Sequence, residues 1–241
     1  MKRPQFVTDQ IYHVYNRGVE KRNVFLNDKD YFRFIHDLYE FNDENPAINM
    51  NFYFGNSVDP TSLLLWKSDF HSRKERKMLV EILCFCLMPN HFHLLLRQIK
   101  DGGITEFMRK IGTGYTNYFN TKNDRVGALF QGKFKAVHVQ TQSHLLYLPH
   151  YIHLNPLDLS MPEWRDQKIR SPKKAMRFLE SYRWSSFLDY TGKKNYPSVI
   201  SKDFLADFYY GSPTSIVDYR KDITEWLKNL DISGIQDIIL E

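Results

Sequence analysis

Apolar and polar residues alternate over QIYHVYNR at 10 to 17, with Ile11, His13 and Tyr15 on one face and Tyr12, Val14 and Asn16 on the other, which predicts a strand ended by Gly18. From Asp28, read as an N-cap, the series Tyr31, Phe32, Ile35, Leu38 and Tyr39 recurs at helical spacing and stops before Asn45-Pro46. Two apolar runs, VEILCFC at 80 to 86 and HFHLLLR at 91 to 97, flank Leu87-Met88-Pro89-Asn90 and predict a hairpin. A stripe of Ile104, Phe107, Met108, Ile111, Tyr115, Tyr118 and Phe119 predicts a helix over about 103 to 121. The glycine-punctuated basic stretch RVGALFQGKFKAVHV ends in a strand at 134 to 140, and a helix from about Ser143 to Asn155 is closed by Pro156. Residues 51 to 79 lack a clear period and read as an insertion. Beyond Leu157 the pattern is helical, at about 161 to 167, at 173 to 182, and from Ser212-Pro213 to about Leu230. The order of elements predicts an α+β fold over residues 1 to 158, a ferredoxin-like βαββαβ antiparallel sheet with helices on one face, followed by a helical C-terminal extension over 159 to 241.

Composition narrows the class of protein. With 241 residues, 42% apolar and 15% aromatic, the chain can bury a sizeable core, which excludes fibrous and disordered classes. No uncharged run approaches the roughly 20 residues that span a bilayer, and the start MKRPQFVTDQ lacks an apolar signal segment, so a cytoplasmic address is expected. Cys84 and Cys86 are the two cysteines and stand too close along one strand to staple distant parts of the fold; reduced thiols are expected.

Charge is unevenly spread. The net charge is +5, but residues 203 to 241 hold eight acidic residues against Arg220, Lys221 and Lys228, so that tail is −5 and residues 1 to 202 carry +10. A basic body rich in Tyr and Phe suits a polyanion, because Lys and Arg neutralise phosphates and aromatic faces stack on unpaired bases. The acidic tail either docks over that basic surface or packs through Phe204, Phe208, Trp226 and Leu227 with its charges in solvent.

Candidate chemistry begins with His91 and His93, which share one face of a strand start at roughly 6 to 7 Å, a spacing that lets two imidazoles converge on a metal ion. Tyr151 and Asn155 lie four apart on a helix and so share a face, about 6 Å apart along the axis. Facing a metal, they would supply a nucleophile and a hard ligand; otherwise they are a buried tyrosine and a C-cap. Tyr115 and Tyr118 follow the apolar stripe of their own helix and read as packing, which leaves Tyr147, one turn before Tyr151, as the rival nucleophile. An even-numbered hairpin loop would set Cys86 opposite His91 and Cys84 opposite His93, a possible closed zinc site. Asn16, Arg17, Arg125, Gln131, Lys133 and Lys135 are candidates for a DNA surface, with Phe130 or Phe134 stacking on a base and Gly127 and Gly132 admitting a phosphate.

LMPNHFHLLLRQ at 87 to 98, YIHLNP at 151 to 156, FQGKFK at 130 to 135 and YNRG at 15 to 18 together resemble the single-tyrosine HUH transposases, closest in motif order to the branch called REP-associated tyrosine transposases. RWSSF at 183 to 187 resembles a segment found downstream in that branch. The resemblance covers roughly residues 10 to 157 and implies an HUH nuclease fold that cuts single-stranded DNA beside a hairpin. It implies His91, His93 and Asn155 as ligands of Mg²⁺ or Mn²⁺ and Tyr151 as the nucleophile that forms a 5′-phosphotyrosine, in a monomer or homodimer. A noncatalytic nucleic-acid-binding regulator on the same fold is the alternative. The chain departs from the family in Leu-Pro-His before Tyr151, where position 150 is more often basic, and in Leu157-Asp158 after Pro156, where a small-and-basic run is usual.

Overall fold

The computed structural model describes residues 4–46, 76–166, 169–210 and 216–228. The insertion expected at 51–79 lies outside the described residues apart from 76–79, as do Ser212-Pro213 and everything after Lys228.

Four strands, β1 Ile11–Arg17, β2 Val80–Met88, β3 His91–Gln98 and β4 Lys135–His138, form one sheet in the order β2-β3-β1-β4 with every neighbouring pair antiparallel. That is the ferredoxin-like arrangement, and it places β1 and β3 at the centre. Pro89 and Asn90 alone turn the hairpin, so Met88 faces His91, Cys86 faces His93 and Cys84 faces Leu95. The cysteine–histidine pairing is therefore shifted by two residues from the one a zinc site required. Among the described residues no group of three or more His, Cys, Asp or Glu is disposed to hold a metal.

Helix α1, Asp28–Glu40, is capped one residue earlier than expected: Asn27 rather than Asp28 is the N-cap, and Asp30 at the third helical position completes a capping box by accepting from the Asn27 and Leu26 amides. Helix α2, Gly103–Lys122, packs beside α1 on the sheet face carrying Val14, Phe92 and Leu94. The start of α2 presses on the start of β2, where a Cβ on Gly103 would sit 2.2 Å from the Leu79 carbonyl oxygen. Phe34 meets Phe92 at 5.1 Å and Tyr115 at 5.0 Å between ring centres. The Tyr115 hydroxyl donates to the Val24 carbonyl at 2.6 Å and that of Tyr118 to Asp30 at 2.9 Å, so both tyrosines are packing residues of this layer.

These two helices form the expected layer; the second face is also covered. Helix α3, Gln142–Leu154, capped by Thr141 and carrying Pro149 inside, lies against β2 and β3 on the face of His13, Cys86, His93 and Leu95. Two short 3₁₀ turns follow, Asn155–Leu159 and Pro162–Asp166, then α4 Pro172–Ser181, α5 Phe187–Tyr190, α6 Lys202–Tyr210 and α7 Ile216–Lys228. Helix α6 has no counterpart among the helices expected from periodicity.

The extension packs as core. Leu205, Tyr219, Ile223 and Leu227 are buried, and Tyr219 Oη meets His153 Nδ1 of α3 at 2.5 Å. The RWSSF segment runs beside β2: the Leu87 amide donates to Trp184 O and the Ser186 amide to Phe85 O, while Ser186 Oγ also meets His153 Nε2 at 2.8 Å. Trp184 stacks on Tyr31 at 4.5 Å, tying the extension to α1. Among the described residues no helix is long and apolar enough to cross a membrane.

Candidate active site

The start of β3 holds both histidines. Because their positions differ by two, His91 and His93 share a sheet face, and their rings stand 5.0 Å apart at 85°. Asn90 Oδ1 lies 2.6 Å from His91 Nδ1, and His13 Nε2 of β1 lies 2.9 Å from His93 Nδ1, so the inner nitrogen of each ring is engaged. His93 Nε2 is buried without a hydrogen-bond partner among the described residues. Burial pulls the His91 pKa down to about 4, with the Arg17 charge adding to it. Burial, then the neighbouring His91 and His13, hold His93 well below the usual histidine range. Both rings are thus neutral at physiological pH, the state in which imidazole binds a metal.

Beside the pair is a cavity of about 80 Å³ lined by Tyr15, Asn16, Arg17, His91, His93, Gln131 and Lys135. Four of the expected DNA contacts, Asn16, Arg17, Gln131 and Lys135, are therefore gathered around the histidines. Asn16 Nδ2 donates to the Gly132 carbonyl, and Gly132 sits at φ +70°, a conformation that favours glycine, so the loop is tied to β1 at its turn. Lys133 and Phe134 line an adjoining groove of about 430 Å³ whose other wall is Arg109, Gly112 and Thr116 of α2. Of the remaining two, Phe130 forms part of the floor of that groove and Arg125 stands outside it. Phe130 is buried, edge-on to Phe92 at 5.7 Å, because its side chain fills the gap between sheet and α2, and little of its ring is left for a base. Arg125 spends its guanidinium on Asn120 Oδ1 and the Ala128 carbonyl, bracing the turn after α2.

Helix α3 aims Tyr151 at the pair. Its ring lies edge-on to His93 at 6.1 Å, whereas Tyr147, one turn earlier, stacks on Trp226 of α7. Tyr151 and Asn155 are both fully buried, and Asn155 Nδ2 donates to the Tyr151 carbonyl at 2.9 Å. The group that joins them is Arg165, from the turn Pro162–Asp166: Nη1 donates to Tyr151 Oη and Nη2 to Asn155 Oδ1, both at 3.2 Å. Asp158 grips the same guanidinium at 2.8 and 2.6 Å and accepts from Trp164 Nε1 at 2.6 Å. Burial works against the Arg165 charge, but the hydrogen bonds from Asp158 and Tyr151 outweigh it and leave its pKa above the ordinary value.

The residues present fit a divalent metal. By donor chemistry, two neutral imidazoles, one with an unsatisfied buried nitrogen, and an amide oxygen with a lone pair left beyond its bond to Arg165 are nitrogen and oxygen donors of the kinds that suit Mg²⁺ or, better, Mn²⁺.

Sequence reasoning missed His13, Trp164 and Arg165. His13 was visible as a strand-face position opposite the apolar pattern; nothing in the spacing of Arg165 marks it.

The structure is an α+β domain whose antiparallel ferredoxin-like sheet carries a histidine pair at a strand end beside a tyrosine on the helix that crosses it. Residues 67–155 match the family model described as "Transposase IS200 like", which bears out the resemblance carried by the motifs. Among solved structures, a REP-associated tyrosine transposase bound to a REP hairpin is 13% identical, with a TM-score of 0.49 over 83% of this chain and 90% of that one. No curated protein matches the chain in sequence.

Proposed function

We propose that the chain is a metal-dependent single-stranded DNA endonuclease and strand transferase whose nucleophile is Tyr151. The observation that carries this reading is the approach of Tyr151 to His93, whose buried Nε2 has no partner among the described residues. The family match adds a transposase lineage to that geometry.

His91, His93 and Asn155 would hold Mg²⁺ or Mn²⁺, which supplies Lewis acidity at a nonbridging phosphate oxygen. Arg17 and Lys135 attract the DNA backbone to the cavity beside the histidines, and Gln131 offers a neutral donor there. Tyr151 Oη gives up its proton and attacks phosphorus in line, the bond from phosphorus to the 3′ oxygen breaks, and that oxygen takes up a proton in exchange and leaves as a free 3′-hydroxyl. A 5′-phosphotyrosine remains. Its phosphodiester energy is kept, so attack by a new 3′-hydroxyl rejoins strands without a nucleotide cofactor. His13 fixes the tilt of the His93 ring through Nδ1, which directs Nε2 outward. One copy of the chain carries the whole set, in keeping with a monomer or a homodimer of self-sufficient subunits. The substrate we infer is single-stranded DNA beside a hairpin, as the similar solved transposase is bound to a REP hairpin.

Tyr151 is buried in this state beneath Trp164 and Arg165, so substrate engagement must uncover it. That burial also favours a second reading, a noncatalytic nucleic-acid-binding regulator. Incubation with hairpin-bearing single-stranded oligonucleotides, with and without Mn²⁺, separates the two: the first reading expects an SDS-resistant protein–DNA adduct in the presence of metal. Binding without adduct or cleavage under any metal would overturn it in favour of the second.

A further inference from the structure

We infer that Arg165 is the positioning residue of the tyrosine nucleophile, held in place by Asp158 and Trp164, so that the segment just beyond the transposase-matched stretch completes the site. The inference rests on the proposed role of Tyr151. Its basis is geometric. One planar guanidinium reaches the phenol oxygen through Nη1 and the Asn155 amide oxygen through Nη2, which locks nucleophile and candidate ligand into one unit. The adjacent edge is clamped by Asp158 through Nε to Oδ1 and Nη2 to Oδ2, with Nη2 shared between Asp158 and Asn155, a two-point grip that fixes the plane of the fork. Asp158 is itself oriented by the indole of Trp164, whose ring packs against Tyr151 at 5.8 Å and under the Arg165 guanidinium at 4.8 Å.

This arrangement explains the departure of the sequence after Pro156. An acid at 158 puts no cation on the helix end; it recruits one from seven residues further on. The family match ends at 155, so Asp158, Trp164 and Arg165 all lie outside it.

Two physical roles are open to a cation over a phenol. As a positioning group it holds Oη on the line of attack, and its loss slows the reaction. As a mere cover it hides the phenol, and its loss speeds the reaction. The bifurcated grip on both Tyr151 and Asn155 favours the first, because a cover needs contact with neither amide nor hydroxyl.

The test uses Arg165→Met and Arg165→Lys in the full chain, with [¹³Cζ]-tyrosine labelling and the adduct assay. The Tyr151 resonance is assigned by its loss in Tyr151→Phe. In Arg165→Met it should move, and guanidinium ion added to the solution should return it toward the wild-type position. The rate of adduct formation should fall about tenfold to a hundredfold, the worth of one charge-assisted hydrogen bond, with DNA affinity within about twofold. Guanidinium should restore rate to Arg165→Met but not to Tyr151→Phe, a rescue that general destabilisation would not allow. Arg165→Lys, a point charge that cannot span both partners, should stay impaired. An unmoved resonance, a wild-type or faster rate, or a loss that guanidinium does not repair would each overturn the inference. If Arg165→Met fails to fold, Asp158→Asn, which frees the clamp while keeping the cation, gives the same readouts. Should the wild type form no adduct at all, the nuclease reading falls, while the resonance still decides whether Arg165 sets the phenol.

Discussion

His150 stands immediately before Tyr151 and is buried in a nest of extension aromatics, with Tyr219 stacked on it at 5.1 Å and Tyr209 and Trp226 both at 5.7 Å. Burial pulls its pKa down to about 4, and neither ring nitrogen has a hydrogen-bond partner among the described residues. The unfolded chain restores an ordinary value of about 6.5. The folded state therefore prefers the neutral ring, and its contribution is complete above about pH 6.5 and is lost as pH falls toward 4. With those two values, the linkage relation costs the fold about 2 kcal/mol at pH 5 relative to pH 7.5, and at most about 3.4 kcal/mol in stronger acid. His150→Phe keeps an aromatic ring in the nest and removes the proton site. Urea unfolding of wild type and variant at pH 7.5 and pH 5 isolates the effect, since His91 and His153, also held neutral by burial, titrate in both proteins. With a urea slope of about 2 to 3 kcal/mol per molar, the wild-type midpoint should fall by roughly 0.7 to 1 M more than that of the variant over this interval. Equal falls would show that His150 titrates in the folded state as it does in water, and the packing of the extension on α3 would need to be redrawn.

His91→Ala and His93→Ala should each abolish metal-dependent cleavage while DNA affinity stays within a few fold, as read by gel shift beside the cleavage assay; a wild-type rate in either would remove the metal assignment. Tyr151→Phe should eliminate the covalent adduct, whereas Tyr147→Phe and Tyr118→Phe should retain it, because Tyr147 faces Trp226 and Tyr118 faces Asp30. A chain ending at Lys202 loses the buried Leu205, Tyr219, Ile223 and Leu227, roughly 6 to 12 kcal/mol of burial at the usual worth per side chain, and should show no cooperative unfolding by calorimetry. A folded truncation that binds single-stranded DNA more tightly at low salt would instead revive the picture of an acidic tail laid over the basic surface.

The sheet and its two central helices were legible because their apolar runs and stripes are long and each is buried where its period says. The hairpin pairing was not: the strands were plain, but whether Leu87 and Met88 belong to the turn or to β2 is decided by packing, and that choice moved the cysteines two places along His91 and His93. His91 and His93 share a face as their spacing on the strand suggested, and Tyr151 comes up to them as the family resemblance implied. Phe130 looked like a stacking residue because it sits in a glycine-rich basic loop, yet its ring turns inward. The two departures before and after the tyrosine motif became intelligible only with the extension in view: His150 is an aromatic spacer under Tyr219, and Asp158 is the anchor of Arg165. Tyr219 is far from His150 in sequence, and Arg165, though only seven residues beyond Asp158, follows no helix or strand period, so periodicity marks neither relation.

The strip of backbone from Trp184 to Ser186 along β2 has a further consequence for how copies of this chain can meet. A free border strand is a template on which another chain adds its own backbone, and β2 is the longest strand of the sheet. Here its outward amides and carbonyls at Phe85 and Leu87 are already answered from within. A sheet running unbroken from one subunit into the next is closed off on that side. The opposite border, β4, is four residues long and begins at Lys135, a charged and short rail that discourages the same addition. Among the described residues, neither border of the sheet offers a long free strand on which a second copy could extend it.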